Sequence, residues 1–149
     1  MLRKYLATAI LGFTCALPAL ASAANAGDAR VLVAYLNGGN ELPGPGDADA
    51  FGSATVTLTA ANALCYTITT QNLGGAATAA HIHVGNAGVA GGITLALPVN
   101  ASVPFRIANC IGAPVATVTA LRSNPGNFYV NVHSAAFAGG AVRGQLQSE

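Results

Sequence analysis

Polar and apolar residues alternate along several short stretches of this chain, and this alternation restricts the fold more than any other feature. Residues 53–60 alternate without a break, and residues 64–70 repeat the pattern after a short turn segment. A period of two predicts β-strands with one buried and one solvated face, and the two neighbouring stretches predict an antiparallel hairpin. Further strands are predicted at residues 30–36, 79–85, 93–97, 128–134 and 141–146.

Two segments do not follow the period of two. In residues 114–122 the β-branched side chains favour a strand, whereas Pro114 at a first helical position and the Asn124-Pro125 stop favour a helix. We predict a helix there. Residues 101–112 show no regular pattern, so we expect an irregular segment with a short extended piece at residues 105–107. The chain is therefore predicted to be all-β, with short antiparallel strands and one short helix near 114–123.

The first 23 residues have the three parts of a secretory signal peptide. Arg3 and Lys4 supply positive charge, an apolar run covers residues 6–17, and Ala21-Ser22-Ala23 is a small-residue cleavage site. Cleavage after Ala23 leaves residues 24–149, a length that suits a single β domain. No later apolar stretch is long enough to span a bilayer. We expect an exported protein, located in the periplasm or outside the cell, without a membrane span.

The charge that remains after cleavage argues against two classes of partner. Four arginines and five acids give a net charge of −1, and no lysine is left. Binders of nucleic acid or of anionic membranes carry a basic surface that this chain lacks. Three of the acids, Glu41, Asp47 and Asp49, lie in a loop rich in proline and glycine. Their spacing matches no known calcium loop, so we expect solvated side chains.

Two cysteines remain after the signal peptide, Cys65 and Cys110. An even pair in an exported chain favours a disulfide over a reactive thiol or a metal ligand set. Cys65 occupies the solvated face of its predicted strand. We therefore expect it to meet Cys110 on a loop that covers that face.

All three histidines of the chain lie in two predicted strands. Because side chains alternate along a strand, His81 and His83 share the face opposite Ile82, and His133 lies opposite its own aliphatic neighbours. Neighbouring strands lie about 4.8 Å apart, so three imidazoles could reach one ion. Copper and zinc both accept imidazole ligands. The residues expected to orient these ligands are Tyr129, Asn131, Arg143 and Gln145. A second interpretation makes the histidines half-exposed polar residues, hydrogen-bonded to the glycine-rich loop 85–92 and to Asn131 or Arg143.

Four stretches resemble the motifs of the CHRD domain family, which is named for repeats in chordin and includes single exported bacterial domains. They are Gly39-Asn40-Glu41-Leu42-Pro43, Ala80-His81-Ile82-His83-Val84-Gly85, Tyr129-Val130-Asn131-Val132-His133-Ser134 and Arg143-Gly144-Gln145-Leu146. The resemblance covers roughly residues 31–146, with Ser134 where threonine is usual. It implies an antiparallel β-sandwich or barrel, either immunoglobulin-like or Cu/Zn superoxide dismutase-like, with no settled biochemical activity. The placement of Cys65 and Cys110 is also similar to that in many bacterial members.

These observations predict an exported binding or interaction module for an extracytoplasmic protein or ligand, with a copper or zinc site at His81, His83 and His133. The alternative is a metal-dependent oxidoreductase, because a His-x-His strand and a later histidine strand are similar to those of copper superoxide dismutase. Three histidines cannot supply both metal sites of that enzyme. A hydrolase is not expected, because His133 and Ser134 point to opposite faces of their strand and the chain has no Gly-x-Ser-x-Gly elbow.

Overall fold

The computed structural model describes residues 29–59 and 62–149, and the predicted signal peptide lies outside this part of the chain. Nine strands form one antiparallel sheet in the order β5-β4-β7-β8-β1-β2-β3-β6, with β9 beside β1. The strands are β1 (Arg30–Asn37), β2 (Phe51–Leu58), β3 (Ala63–Gln71), β4 (Ala77–Val84), β5 (Ile93–Leu97), β6 (Arg106–Gly112), β7 (Phe128–Ser134), β8 (Val142–Gln145) and β9 (Gln147–Ser148). The α-helix α1 is Val115–Ser123. Short 3₁₀ turns at Gly38–Asn40 and Pro125–Asn127 follow β1 and α1.

The sheet curves around one hydrophobic core. Alternate residues of the central strands face inward, and Val56, Ile68, Ile82 and Val130 are all fully buried. Core residues come from both halves of the strand order, and the Tyr66 hydroxyl on β3 donates a hydrogen bond to the Pro98 carbonyl just after β5. The sheet is therefore nearly closed and barrel-like. This confirms the predicted all-β antiparallel architecture and the short helix.

One segment departs from its prediction. Residues 101–112 were expected to be irregular, but β6 (Arg106–Gly112) pairs along its whole length with β3. The alternation is hard to recognise because β6 is an edge strand, where Ile107 and Ile111 pack only partly against the core. Cys110 accordingly lies on a strand directly opposite Cys65, not on a covering loop. The predicted disulfide between them is confirmed.

None of the helices in residues 29–59 and 62–149 is long and apolar enough to span a membrane.

Candidate metal centre

The three histidines lie on the outer face of neighbouring strands β4 and β7. His81 is paired across the sheet with Asn131, and His83 is paired with Tyr129. His133 lies two residues beyond Asn131, on the same face of β7. Between His81 and His83, Ile82 points into the core and is fully buried. The alternation of side chains along the two strands therefore places every imidazole outside the hydrophobic core, as the sequence predicted.

One ligand nitrogen from each histidine can be chosen so that all three lie within 4.8 Å of one another. His81 Nδ1 and His133 Nε2 are 3.0 Å apart and share a hydrogen bond, which a bound metal ion would replace. Two nitrogens bound to one zinc ion at about 2.0–2.1 Å can be at most about 4.2 Å apart. The widest pair would therefore need to close by no more than about 0.6 Å. The cluster is therefore close to a three-nitrogen ligand set.

Backbone carbonyls fix the proton position on two of the rings. The Nδ1 atom of His83 lies 2.9 Å from the Gly91 carbonyl, and that of His133 lies 3.0 Å from the Ala138 carbonyl. A carbonyl can only accept, so each Nδ1 carries the proton and each Nε2 keeps its lone pair. The His83 Nε2 is buried and has no hydrogen-bond partner. Donation of one ring N–H to a carbonyl is the arrangement commonly found around metal-bound histidines.

The surroundings keep two of the imidazoles neutral. Burial lowers the pKa of His81, and the neighbouring His133 and His83 lower it further, although the side-chain amide of Asn131 opposes this. Burial also lowers the pKa of His133, against the effect of its hydrogen bond to Ala138. Metal ions bind the neutral ring, so both histidines are in the competent form at neutral pH.

The glycine-rich segment between β4 and β5, residues 85–92, passes close over His83. The Gly91 carbonyl accepts a hydrogen bond from His83 Nδ1. The Gly91 N–H in turn donates a hydrogen bond to the Tyr129 hydroxyl at 3.2 Å. A Cβ atom at Gly91 would lie 1.5 Å from the Val84 carbonyl oxygen. The segment can therefore approach the histidine only because residue 91 has no side chain.

Replacing Gly91 with alanine should lower the free energy of unfolding by about 1–3 kcal/mol, because the backbone at Val84 must move to relieve the overlap. Gly92→Ala is the matched control, since a Cβ atom there meets nothing within 4 Å. Its effect should stay within about 0.5 kcal/mol. Urea unfolding of both variants measures the difference, and equal stabilities would show that the close approach has no energetic importance.

The four residues expected to orient the ligands divide into two groups. Tyr129 stacks on His83, with ring centroids 4.8 Å apart and planes 7° from parallel, and Asn131 lies beside His81. The hydrogen bonds of Arg143 and Gln145 go to backbone carbonyls and not to a histidine. The Arg143 guanidinium lies 3.4 Å above the Tyr129 ring and donates to the carbonyls of Asn86 and Val89. Gln145 donates to the carbonyl of Gly85. Both hold the segment that covers the site.

The acidic loop differs from its prediction. Glu41 and Asp47 were expected to be solvated, yet only 4% and 5% of their surfaces are exposed. The loop folds back on the β7–β8 connection, where the Asp47 N–H donates to the Ala141 carbonyl. A Cβ atom at Gly140 would lie 2.5 Å from the Glu41 carboxyl, so this glycine leaves the space that the acid fills. Gly46 leaves space beside the Glu41 side chain in the same way, but a glycine in the sequence does not by itself indicate a buried loop.

The buried acids do not form a second metal cluster. Among the residues that the structure describes, the histidine trio is the group of three or more potential ligands close enough to share an ion. Burial raises the pKa of Glu41 to about 7, although the Arg143 charge and the Leu42 N–H lower it. Burial and the neighbouring Asp49 raise the pKa of Asp47 as well.

Comparison with known proteins identifies the family. A family model described as the CHRD domain matches residues 32–146, which is most of the chain and includes all four motifs noted above. Searches of curated proteins and of solved structures found no match. The match begins within β1, spans β2 to β8 and includes both segments that carry the histidines. The chain therefore belongs to the CHRD domain family.

Proposed function

We propose that this protein is an exported binding module that holds one copper or zinc ion with His81, His83 and His133. The observation that carries the proposal is the convergence of three ring nitrogens within 4.8 Å on the outer face of β4 and β7. The signal-peptide pattern and the disulfide support an oxidising, extracytoplasmic location.

Ligand chemistry supports copper more strongly than zinc. The set consists of three imidazoles, without a thiolate or carboxylate among the described residues close enough to join it. Copper(II) binds nitrogen ligands more tightly than the other divalent ions of its row. A three-nitrogen set also leaves a coordination position open for a water molecule or for a group from a partner. His81 and His133 are half-buried, so this position can be reached from solvent.

Metal titration tests the proposal. The metal-free wild type should bind one copper(II) ion with a Kd below micromolar, and zinc more weakly. A His81→Ala, His83→Ala, His133→Ala variant should lose at least about 100-fold in affinity, because the described residues offer no other ligand group there. Isothermal titration calorimetry against a competing chelator measures both constants.

The matched control changes three outer-face residues on the other half of the sheet, Thr55, Thr57 and Thr67, to alanine. Its copper affinity should equal that of the wild type. A wild-type Kd weaker than micromolar for both metals, or equal affinities of the two triple variants, would contradict the proposal.

A second candidate function is a copper-dependent oxidoreductase. The open coordination position and the partial exposure of His81 and His133 favour it, because a small oxidant such as superoxide could reach the site. Copper-loaded wild type, separated from unbound copper by gel filtration, should then consume superoxide faster than the triple histidine variant treated in the same way. Inert copper-loaded protein would remove this candidate and leave the binding proposal intact.

A further inference from the structure

A cavity of about 310 Å³ lies beside the metal centre, between the loop that follows β1 and the segment that follows β4. We call it the loop cavity. It is lined by Gly39, Asn40, Leu42, Ala87, Gly88, Arg143 and Gln145. None of the three histidines borders it. Its size is at the lower end of the range for pockets that hold small organic molecules.

Arg143 brings a positive charge to this cavity that its neighbours balance only in part. Only 2% of its surface is exposed. Its Nη2 donates to two carbonyls and its guanidinium lies above an aromatic ring, but its Nη1 has no hydrogen-bond partner. These contacts are neutral. A buried cation is costly without an opposite charge, so the position favours a bound anion.

The Glu41 carboxyl supplies only part of the negative charge needed to balance Arg143. It is the acid that acts electrostatically on Arg143, but its own Oε1 also has no hydrogen-bond partner. Because burial raises its pKa to about 7, this carboxyl is partly protonated at neutral pH. An anionic ligand would therefore meet a guanidinium whose charge is not fully cancelled.

Gln145 adds a fixed acceptor to the same cavity. Its Nε2 donates to the carbonyls of Gly85, Gly126 and Phe128 at 2.7–2.8 Å, which sets the orientation of the amide. The Oε1 atom is therefore left to accept a hydrogen bond from a ligand. Leu42, which is 37% exposed, supplies an apolar wall. The cavity thus combines one cation, one oriented acceptor and one apolar surface.

We propose that the loop cavity binds a small carboxylate that carries a hydroxyl or amino group, such as a hydroxy acid. The carboxylate pairs with the Arg143 guanidinium, and the hydroxyl or amino group donates to Gln145 Oε1. A carboxylate suits a site with one guanidinium, whereas a phosphate dianion calls for more donors than the lining provides. This site uses none of the metal ligands, so it does not depend on the proposed metal binding.

Nuclear magnetic resonance on the metal-free full-length protein tests the proposal. Titration with L-lactate should shift the amide signals of Gly39, Asn40, Leu42, Ala87 and Gly88 in a saturable way, with a Kd in the millimolar range. Acetate, which lacks the donor group, should bind at least fivefold more weakly. Inorganic phosphate serves as the competing anion, and sodium chloride at equal ionic strength as the blank.

Two variants of the cavity and one control complete the test. Arg143→Gln should weaken lactate binding at least tenfold, and Arg106→Gln, on the exposed edge strand β6, should leave it unchanged. Because loss of Arg143 also removes the bonds to Asn86 and Val89, Ala87→Phe provides a second variant, which narrows the cavity and keeps the charge. Ala87→Phe should also weaken binding at least tenfold.

Three results would overturn the inference. They are the absence of saturable shifts with 50 mM lactate, equal shifts with sodium chloride, and lactate affinity that is unchanged in both cavity variants. Tighter binding of phosphate than of lactate would likewise exclude the carboxylate class.

Discussion

Removing the disulfide by the double substitution Cys65→Ala, Cys110→Ala should lower the free energy of unfolding by about 4 kcal/mol. The bond links residues 45 positions apart, so it restricts the unfolded chain far more than a local crosslink would. It also holds β6, the edge strand, in register with β3. A loss of this size is a large part of the total stability of a domain of this length.

Urea unfolding of the oxidised wild type and of the double variant measures this effect. Dithiothreitol should lower the stability of the wild type by a similar amount and leave that of the double variant unchanged. This comparison distinguishes the effect of the disulfide bond from the effect of replacing the two cysteine side chains. Amide exchange should show the largest loss of protection in β6. A difference below about 1 kcal/mol would contradict the chain-entropy argument.

The fold was predictable wherever strands bury one face only. In β2 and β3 the alternation of polar and apolar residues matches the alternation of exposed and buried side chains, and both strands form where expected. β6 lacks this signal because most of its side chains are exposed. Its position depends on hydrogen bonds to β3 and on the disulfide, which are contacts between residues distant in sequence.

The candidate site was predictable in part. The alternation of side chains along each strand predicts that His81, His83 and His133 lie outside the core, and they do so in the structure. Their convergence depends also on the register between β4 and β7, in which Ala79 lies opposite His133 and His81 lies opposite Asn131. A slip of one residue would turn one strand's histidines to the other face. Sequence patterns do not specify that register, so they do not determine the distance between the rings.

The burial of Glu41 could not be inferred from the composition of its loop. Proline and glycine indicate an irregular segment, but they do not show whether the segment extends into solvent or folds back on the sheet. Here it folds back, because the space at Gly140 and the hydrogen bond from Asp47 to Ala141 fix it there. The result is a carboxyl group with a pKa of about 7. This shift has a measurable consequence for stability.

Glu41→Gln should remove a stability loss that the wild type undergoes between pH 4.5 and pH 7. Below the unfolded-state pKa of 4.5, the carboxyl is protonated in both states and burial has no ionisation cost. As the pH rises toward the folded-state pKa of about 7, the unfolded chain ionises while the folded chain keeps its proton. Stability therefore falls through this window, by up to about 3 kcal/mol. Glutamine cannot ionise, so the variant should not show this fall.

Urea unfolding at pH values from 4 to 8.5 compares the two proteins. The difference between wild type and Glu41→Gln should be near zero at pH 4 and should favour the variant by up to about 3 kcal/mol at pH 8. Subtracting the two curves cancels the contributions of Asp47, His81 and His133, whose pKa values are also shifted. Glu149→Gln, at an exposed terminal residue, should follow the wild type at every pH. A constant difference across the range would show that Glu41 ionises as easily in the folded protein as in the unfolded chain, and would remove the reason for regarding Arg143 as only partly neutralised.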